Sequence, residues 1–343
     1  MSRRNALLLC TGLAWAGAVA VTACAGSGGA QREASGPLAT SDPALTATPT
    51  PRPDVDGLVA LGDGRSVFAT CAGEGSPTVV LISGKGNGAE DWHDVLAPDD
   101  PAHDSSGDDL PWGLGELGPS EDAVFPQVAR FARVCAYDRP DIRSGSDATT
   151  PRPQPHTVDD DVDDLAALLA ALDEPGPYVL VPHSYGGLIA LLYARTHPDD
   201  VAGLVLDDAA SPLIADVADA TALANWDASN ATTSPQLREG VEVLDAFARI
   251  DAAPPLPDVP AVVLTADKPW RTDLLPPDVA AVPTVTFDDW LEASALLADA
   301  LDAPHLTETD SGHDIHLYDP ALVVEQIRLV VDEARLGALL PSE

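Results

Sequence analysis

Apolar residues in this chain gather in short runs set apart by turn-forming residues. Thr78-Val-Val-Leu-Ile82, Tyr178-Val-Leu-Val-Pro182 and Val201-Ala-Gly-Leu-Val-Leu206 are of this kind, as are Arg133-Val-Cys-Ala-Tyr-Asp-Arg139 and Pro260-Ala-Val-Val-Leu-Thr265. Runs this short and this rich in β-branched residues predict buried strands. Arg65-Ser-Val-Phe-Ala-Thr-Cys71 alternates more loosely and predicts another, and His305-Leu-Thr-Glu-Thr309 predicts the last. Between these runs the apolar spacing becomes helical. Val158, Val162, Leu165, Leu169 and Leu172 share one face of an amphipathic helix, Leu188 to Arg195 reads as a second, and about Pro320 to Leu336 as a closing one. Strands alternating with helices imply an α/β fold whose mostly parallel sheet is covered on both faces. Two stretches stand outside this alternation. Residues 211–257 are small-residue rich and mostly helical in pattern, broken at Asn230-Ala-Thr-Thr-Ser-Pro235, and residues 93–125 are rich in Asp, Gly and Pro and read as a long loop.

One junction carries candidate chemistry. The run ending at Pro182 continues as His183-Ser184-Tyr185-Gly186-Gly187 and then enters a helix. A sharp strand-to-helix turn lifts a serine hydroxyl clear of the backbone, near the positive end of the helix. Small residues beside it let the strand and helix backbones approach closely. Pro182-His183-Ser184-Tyr185-Gly186 resembles the Gly-x-Ser-x-Gly nucleophile elbow of the α/β-hydrolase superfamily, with Pro182 where the first glycine belongs.

That resemblance spans roughly residues 55–340 and implies a doubly wound, eight-stranded-type sheet with a small helical lid inserted at about 211–258. It implies a nucleophile, Ser184, and a base, His313, in the Ser311-Gly312-His313-Asp314 stretch after the last strand. For the acid, the usual position three residues past Ala266 falls on Pro269, which cannot serve. Asp208, at the end of the sixth strand, and Asp267 are the alternatives. Asp208 is preferred because Leu204-Val-Leu-Asp-Asp-Ala209 resembles members whose seventh strand ends without an acid. His316 is expected to pack or face solvent, and His183 to support the turn. The Gly84-Lys-Gly-Asn-Gly88 loop resembles the oxyanion loop after the third strand, with Ser83 replacing its histidine. The oxyanion hole implied is the N–H groups of Lys85 and Tyr185. Arg133–Arg139 resembles the fourth strand, which neighbours the second, so the resemblance makes a Cys71–Cys135 disulfide plausible; two buried thiols are the alternative.

The activity implied is hydrolysis of a small-molecule carboxylic ester through an acyl-enzyme, amide and lipid-ester hydrolysis being close variants. The alternatives are a non-catalytic binding or sensing lipoprotein and an acyltransferase or perhydrolase with the same residues. Serine at the elbow argues against epoxide hydrolases and haloalkane dehalogenases, which carry aspartate there. Trp112, Trp226 and Trp270 are candidates for an apolar acyl site or for core.

Composition narrows the partners. Across 343 residues the net charge is −37, and Lys85 and Lys268 are the only lysines. Such a surface repels nucleic acid and anionic membranes. Neither a metal-ligand cluster nor a cofactor fingerprint is expected. Gly84-Lys85 lacks the spacing of a phosphate loop. Asp159, Asp160, Asp161, Asp163 and Asp164 lack the glycine of a calcium loop and open a helix, where acids suit the dipole. Residues 1–24 read as a targeting segment: Arg3 and Arg4, an apolar run from Ala6 to Val21, then Val21-Thr-Ala-Cys24, which resembles a bacterial lipobox with Cys24 lipidated. A plain signal peptide with secretion is the alternative, and the arginine pair resembles a twin-arginine signal lacking its phenylalanine. Residues 25–54 read as a flexible tether, rich in Gly, Ser, Thr and Pro, ahead of a hydrolase domain over 55–343.

Overall fold

Eight strands form one sheet in the computed structural model, which describes residues 50–96, 117–142, 149–234, 237–270, 272 and 275–339. Cys24, the tether up to residue 49, Trp112 and the rest of 97–116 lie outside the described residues. The strands are β1 (Val55–Gly62), β2 (Arg65–Ala72), β3 (Thr78–Ile82), β4 (Val134–Asp138), β5 (Tyr178–Pro182), β6 (Val201–Asp207), β7 (Ala261–Leu264) and β8 (His305–Leu306). Their spatial order is β1-β2-β4-β3-β5-β6-β7-β8. β2 runs antiparallel to both its neighbours, and every other pairing is parallel.

The short apolar runs become strands because both faces of the sheet are covered. Along β3, Val79 and Leu81 join a core with Val134, Ala136, Val205 and Ile327 on one side, while Val80 and Ile82 join Leu180, Leu188 and Leu204 on the other. The long helices are α1 (Val158–Ala171), α2 (Gly186–Thr196), α3 (Ala220–Ala231), α4 (Val243–Asp251), α5 (Phe287–Ala300) and α6 (Pro320–Leu339). The acidic run at the start of α1 divides by face. Asp160 closes a capping box with Thr157, whereas Asp161 and Asp164 turn inward onto Arg152. Residues 211–258 stand between β6 and β7 and hold a short helix, Ile214–Val217, with α3 and α4.

Several elements differ from the sequence reading. Within 93–125, read as a long loop, Asp94–Leu96 pairs antiparallel with Leu117–Pro119 and Val124–Val128 is a short helix, because Val124, Phe125 and Val128 are buried against the core. The last strand ends at Leu306 instead of Thr309, because only His305 and Leu306 pair with β7 before the chain turns back. β1 is an edge strand whose inward positions are only half-buried, so its apolar signal is weak. α5 opens with a Thr286–Asp289 capping box inside a stretch the apolar runs leave blank.

Cys71 lies opposite Cys135 in the β2–β4 register, and a disulfide joins them across 64 residues of sequence. A link closing a loop this long removes denatured-state freedom worth about 2–4 kcal/mol. Replacing both cysteines with alanine is therefore expected to lower the chemical-denaturation midpoint and, by freeing the denatured chain to expand, to raise the m-value, and reduction of the wild type to do the same.

Candidate active site

Ser184 sits between β5 and α2 with φ +51°, left-handed backbone that costs a non-glycine residue energy. The turn is held on every side. His183 N–H donates to Ile82 O (2.9 Å), Gly186 N–H to His183 O (2.8 Å) and Ala210 N–H to Ser184 O (2.8 Å). A Cβ on Gly186 would stand 2.3 Å from Ile82 O, so this position must stay bare for α2 to lie against β3. Pro182 is the last residue of β5, in register with Ile82, and the ladder bond is taken up by His183 instead.

The structure brings Ser184, His313 and Asp208 together. Ser184 Oγ is 2.9 Å from His313 Nε2, and His313 Nδ1 is 2.6 Å from Asp208 Oδ2. The second oxygen of Asp208 accepts from Ala266 N–H (3.1 Å) and from the Trp290 indole N–H (3.0 Å). Asp208 is fully buried, and these donors make its ionised form tolerable there. Trp290 is missed by the apolar-run reading, since it rides on α5, which those runs leave blank. Neighbouring residues at a strand end face opposite ways, which separates Asp208 from Asp207. Asp207 pairs with His316 Nδ1 (2.7 Å), so His316 is packed in the interior and does not face solvent. Asp267 does not reach His313: its two oxygens accept from the N–H groups of Asp310 and Ser311 (3.0 Å each), bracing the loop that carries His313.

His183 backs the same loop. Its Nε2–H donates to His313 O (3.1 Å), and its ring meets those of His313 and His316 at steep angles, 4.7 Å from each. Burial, followed by the charges of His316 and His313, holds the His183 imidazole well below its ordinary range, so it stays neutral. For His313, burial pulls downward, but the hydrogen bond and charge of Asp208, helped by Asp314 and Asp207, push it up to about 9. His183, Asp314 and His316 bring donor atoms within 4.8 Å of one another, as do His156, Asp161 and Glu239. Among the described residues Cys71, Cys135 and Glu174 also come this close, but the two cysteines are joined as a disulfide, His316 is bonded to Asp207, and His156 to Asp161 and Gln154.

The N–H groups of Lys85 and Tyr185 donate to no other group among the described residues. Lys85 lies in the loop after β3, and Gly84 packs so closely on the serine turn that an added Cβ would stand 3.0 Å from Ser184 Cβ. Burial lowers the Lys85 ammonium to about 8, with Glu239 opposing. Ser83, in place of a histidine, braces the loop from inside: its hydroxyl donates to Gly88 O (2.7 Å) and accepts from the Trp92 indole (2.9 Å). Trp290 and Trp270 stand edge-on to His313 at 5.5 and 6.5 Å, and Trp226 packs on Trp290 at 6.5 Å. Together they make an aromatic wall.

Residues 77–241 match a family model described as alpha/beta hydrolase fold, a match that includes Ser184 and Asp208. The chain is 36% identical over 107 residues to lipase LipV of Mycobacterium tuberculosis, covering 29% of this chain and 41% of that protein. It is also 36% identical over 91 residues to an uncharacterized protein of Schizosaccharomyces pombe, covering 26% and 16%. The chain spans less than half the length of the curated relatives it matches. A solved thermophilic esterase from Thermogutta terrifontis is similar at 16% identity and TM-score 0.48, covering 81% of this chain and 98% of that one.

Proposed function

From the α/β-hydrolase fold of this chain, we propose that it is a serine hydrolase acting on small-molecule carboxylic esters through an acyl-enzyme. One observation carries the reading. Ser184, His313 and Asp208 form an unbroken hydrogen-bonded chain, at 2.9 and 2.6 Å, beside two unengaged backbone N–H groups. With its proton on Nδ1, His313 presents a lone pair to the Ser184 hydroxyl and takes its proton as Oγ attacks the ester carbonyl. Asp208 stabilises the imidazolium that forms. The tetrahedral oxyanion would be met by the Lys85 and Tyr185 N–H groups, each such donor being worth about 3 kcal/mol in the transition state. His313 then protonates the departing alcohol, and water repeats the steps to free the acid. The aromatic wall beside His313 favours an apolar acyl group.

Export with a lipid on Cys24 belongs to the same proposal. The Cys71–Cys135 disulfide supports it, since such bonds persist outside the reducing cytosol.

The test is hydrolysis of p-nitrophenyl esters of graded acyl length by the full chain. Turnover that is lost in Ser184→Ala and His313→Ala is expected; turnover retained in either variant would refute the mechanism. The pH profile follows from His313. Only the neutral imidazole is a base, so kcat/KM should climb with pH along a limb centred near 9 rather than near 6.5. Stability runs the other way. A histidine raised by folding contributes fully below about pH 6.5, and that contribution fades as pH passes through about 9.

A further inference from the structure

Arg139 follows β4 and Glu239 lies between α3 and α4, and the two meet as an ion pair buried to 1% and 0% exposure. Arg139 Nε is 2.7 Å from Glu239 Oε1 and Nη2 is 3.0 Å from Oε2. Buried pairs of this sort seldom add net stability, because desolvation offsets the attraction. What distinguishes this one is where its remaining hydrogen bonds go. Arg139 donates to Ser83 O (2.7 Å) and Gly84 O (2.5 Å), and Glu239 accepts from Gly86 N–H (2.7 Å). All three contacts fall on the main chain on either side of Lys85.

A trans peptide is planar, with its C=O and N–H pointing opposite ways. Gly84 C=O and Lys85 N–H belong to one peptide unit, so drawing the carbonyl onto Arg139 turns the N–H to the other side. The next unit joins Lys85 C=O to Gly86 N–H, and Glu239 fixes it in the same manner. Gly86, at φ +80°, supplies the left-handed backbone this needs. The guanidinium also lies 5.4 Å from the ring centroid of Tyr185, whose N–H is the other unengaged donor. Resting on the serine-hydrolase reading above, we propose that Arg139 and Glu239 are positioning residues for the oxyanion hole. Their ion pair clamps both peptide units flanking Lys85 and ties the segment between β6 and β7 to the donor loop.

The test compares wild type with the double variant Arg139→Met/Glu239→Leu, which keeps the site filled while removing the clamp and leaves no buried charge unpaired. Two quantities are read: steady-state hydrolysis of p-nitrophenyl acetate, and inhibition by phenylboronic acid, which forms a tetrahedral adduct on the serine. A clamp predicts kcat down by about 10–100-fold with KM within about threefold, and boronate inhibition weakened in parallel. A folded double variant with wild-type kcat, or with reduced kcat and unchanged boronate inhibition, overturns it. Should the double variant fail to fold, Glu239→Gln decides by the same two readouts. A wild type that neither hydrolyses the ester nor binds the boronate removes the serine-hydrolase reading itself. An active wild type with unaffected variants removes only the clamp.

Discussion

Asp208→Asn is expected to lower kcat by about 10⁴-fold while leaving the fold intact, the magnitude being that of the same exchange in a serine protease. The reason lies in how the amide must sit. Two donors, Ala266 N–H and the Trp290 indole, converge on one oxygen of Asp208, and His313 Nδ1 faces the other. An asparagine satisfies the two donors by turning its carbonyl toward them, which presents its NH2 to His313. Nδ1 must then accept, so the imidazole proton moves to Nε2, the atom that should take the proton of Ser184. The base is in place but in the wrong tautomer. Asp267→Asn provides the contrast. Its carboxylate bonds two N–H groups of the loop bearing His313, so losing one bond is expected to cost about 1–3 kcal/mol of stability and no more than about tenfold in kcat. Kinetics with p-nitrophenyl acetate, paired with denaturant titration, separate the two variants. Equal losses at both positions would mean that the acid has been misassigned.

Gly186→Ala should be nearly as harmful, for a steric reason. The added methyl carbon would lie 2.3 Å from Ile82 O and 3.1 Å from Ile82 C, which are backbone atoms and cannot rotate aside. Either α2 retreats from β3 or the end of β3 is displaced, and both move Ser184 relative to the loop carrying Lys85. Overpacking of this kind costs about 1–3 kcal/mol or more, and a displacement near 1 Å can cost about 10²-fold in rate. The expected result is a lowered unfolding midpoint together with a drop in kcat of at least about 10²-fold. Wild-type kcat and stability would show that the turn has slack the close packing denies.

The difference between these two positions shows what the sequence could reveal. Gly186 was legible because a serine wedged between an apolar run and a helical run demands bare neighbours whatever the rest of the chain does. Strands β3 to β7 were legible for a related reason: a strand covered on both faces needs an unbroken apolar run. β1 was not, since an edge strand half-buried on its inner positions requires no such run. Asp208 could be preferred over Asp267 by resemblance only, because both are aspartates at strand ends. What separates them is the side chain's direction, which depends on the φ of +42° at Asp208 and on the Trp290 indole arriving from α5. Arg139 and Glu239 are 100 residues apart in sequence, and nothing local marks either as the other's partner. The Thr286–Asp289 capping box could have disclosed α5, and with it Trp290 as a residue close to the site.

The most direct measurement of the central claim is covalent labelling of the full chain with a fluorophosphonate, followed by mass mapping of the modified peptide. Such a probe reacts with a serine whose hydroxyl is activated by a neighbouring base and whose phosphonyl oxygen can be held by backbone donors. The account predicts stoichiometric modification at Ser184, absent in Ser184→Ala and strongly slowed in Asp208→Asn. A folded wild type that takes up no label, or takes it up on another serine, would contradict it.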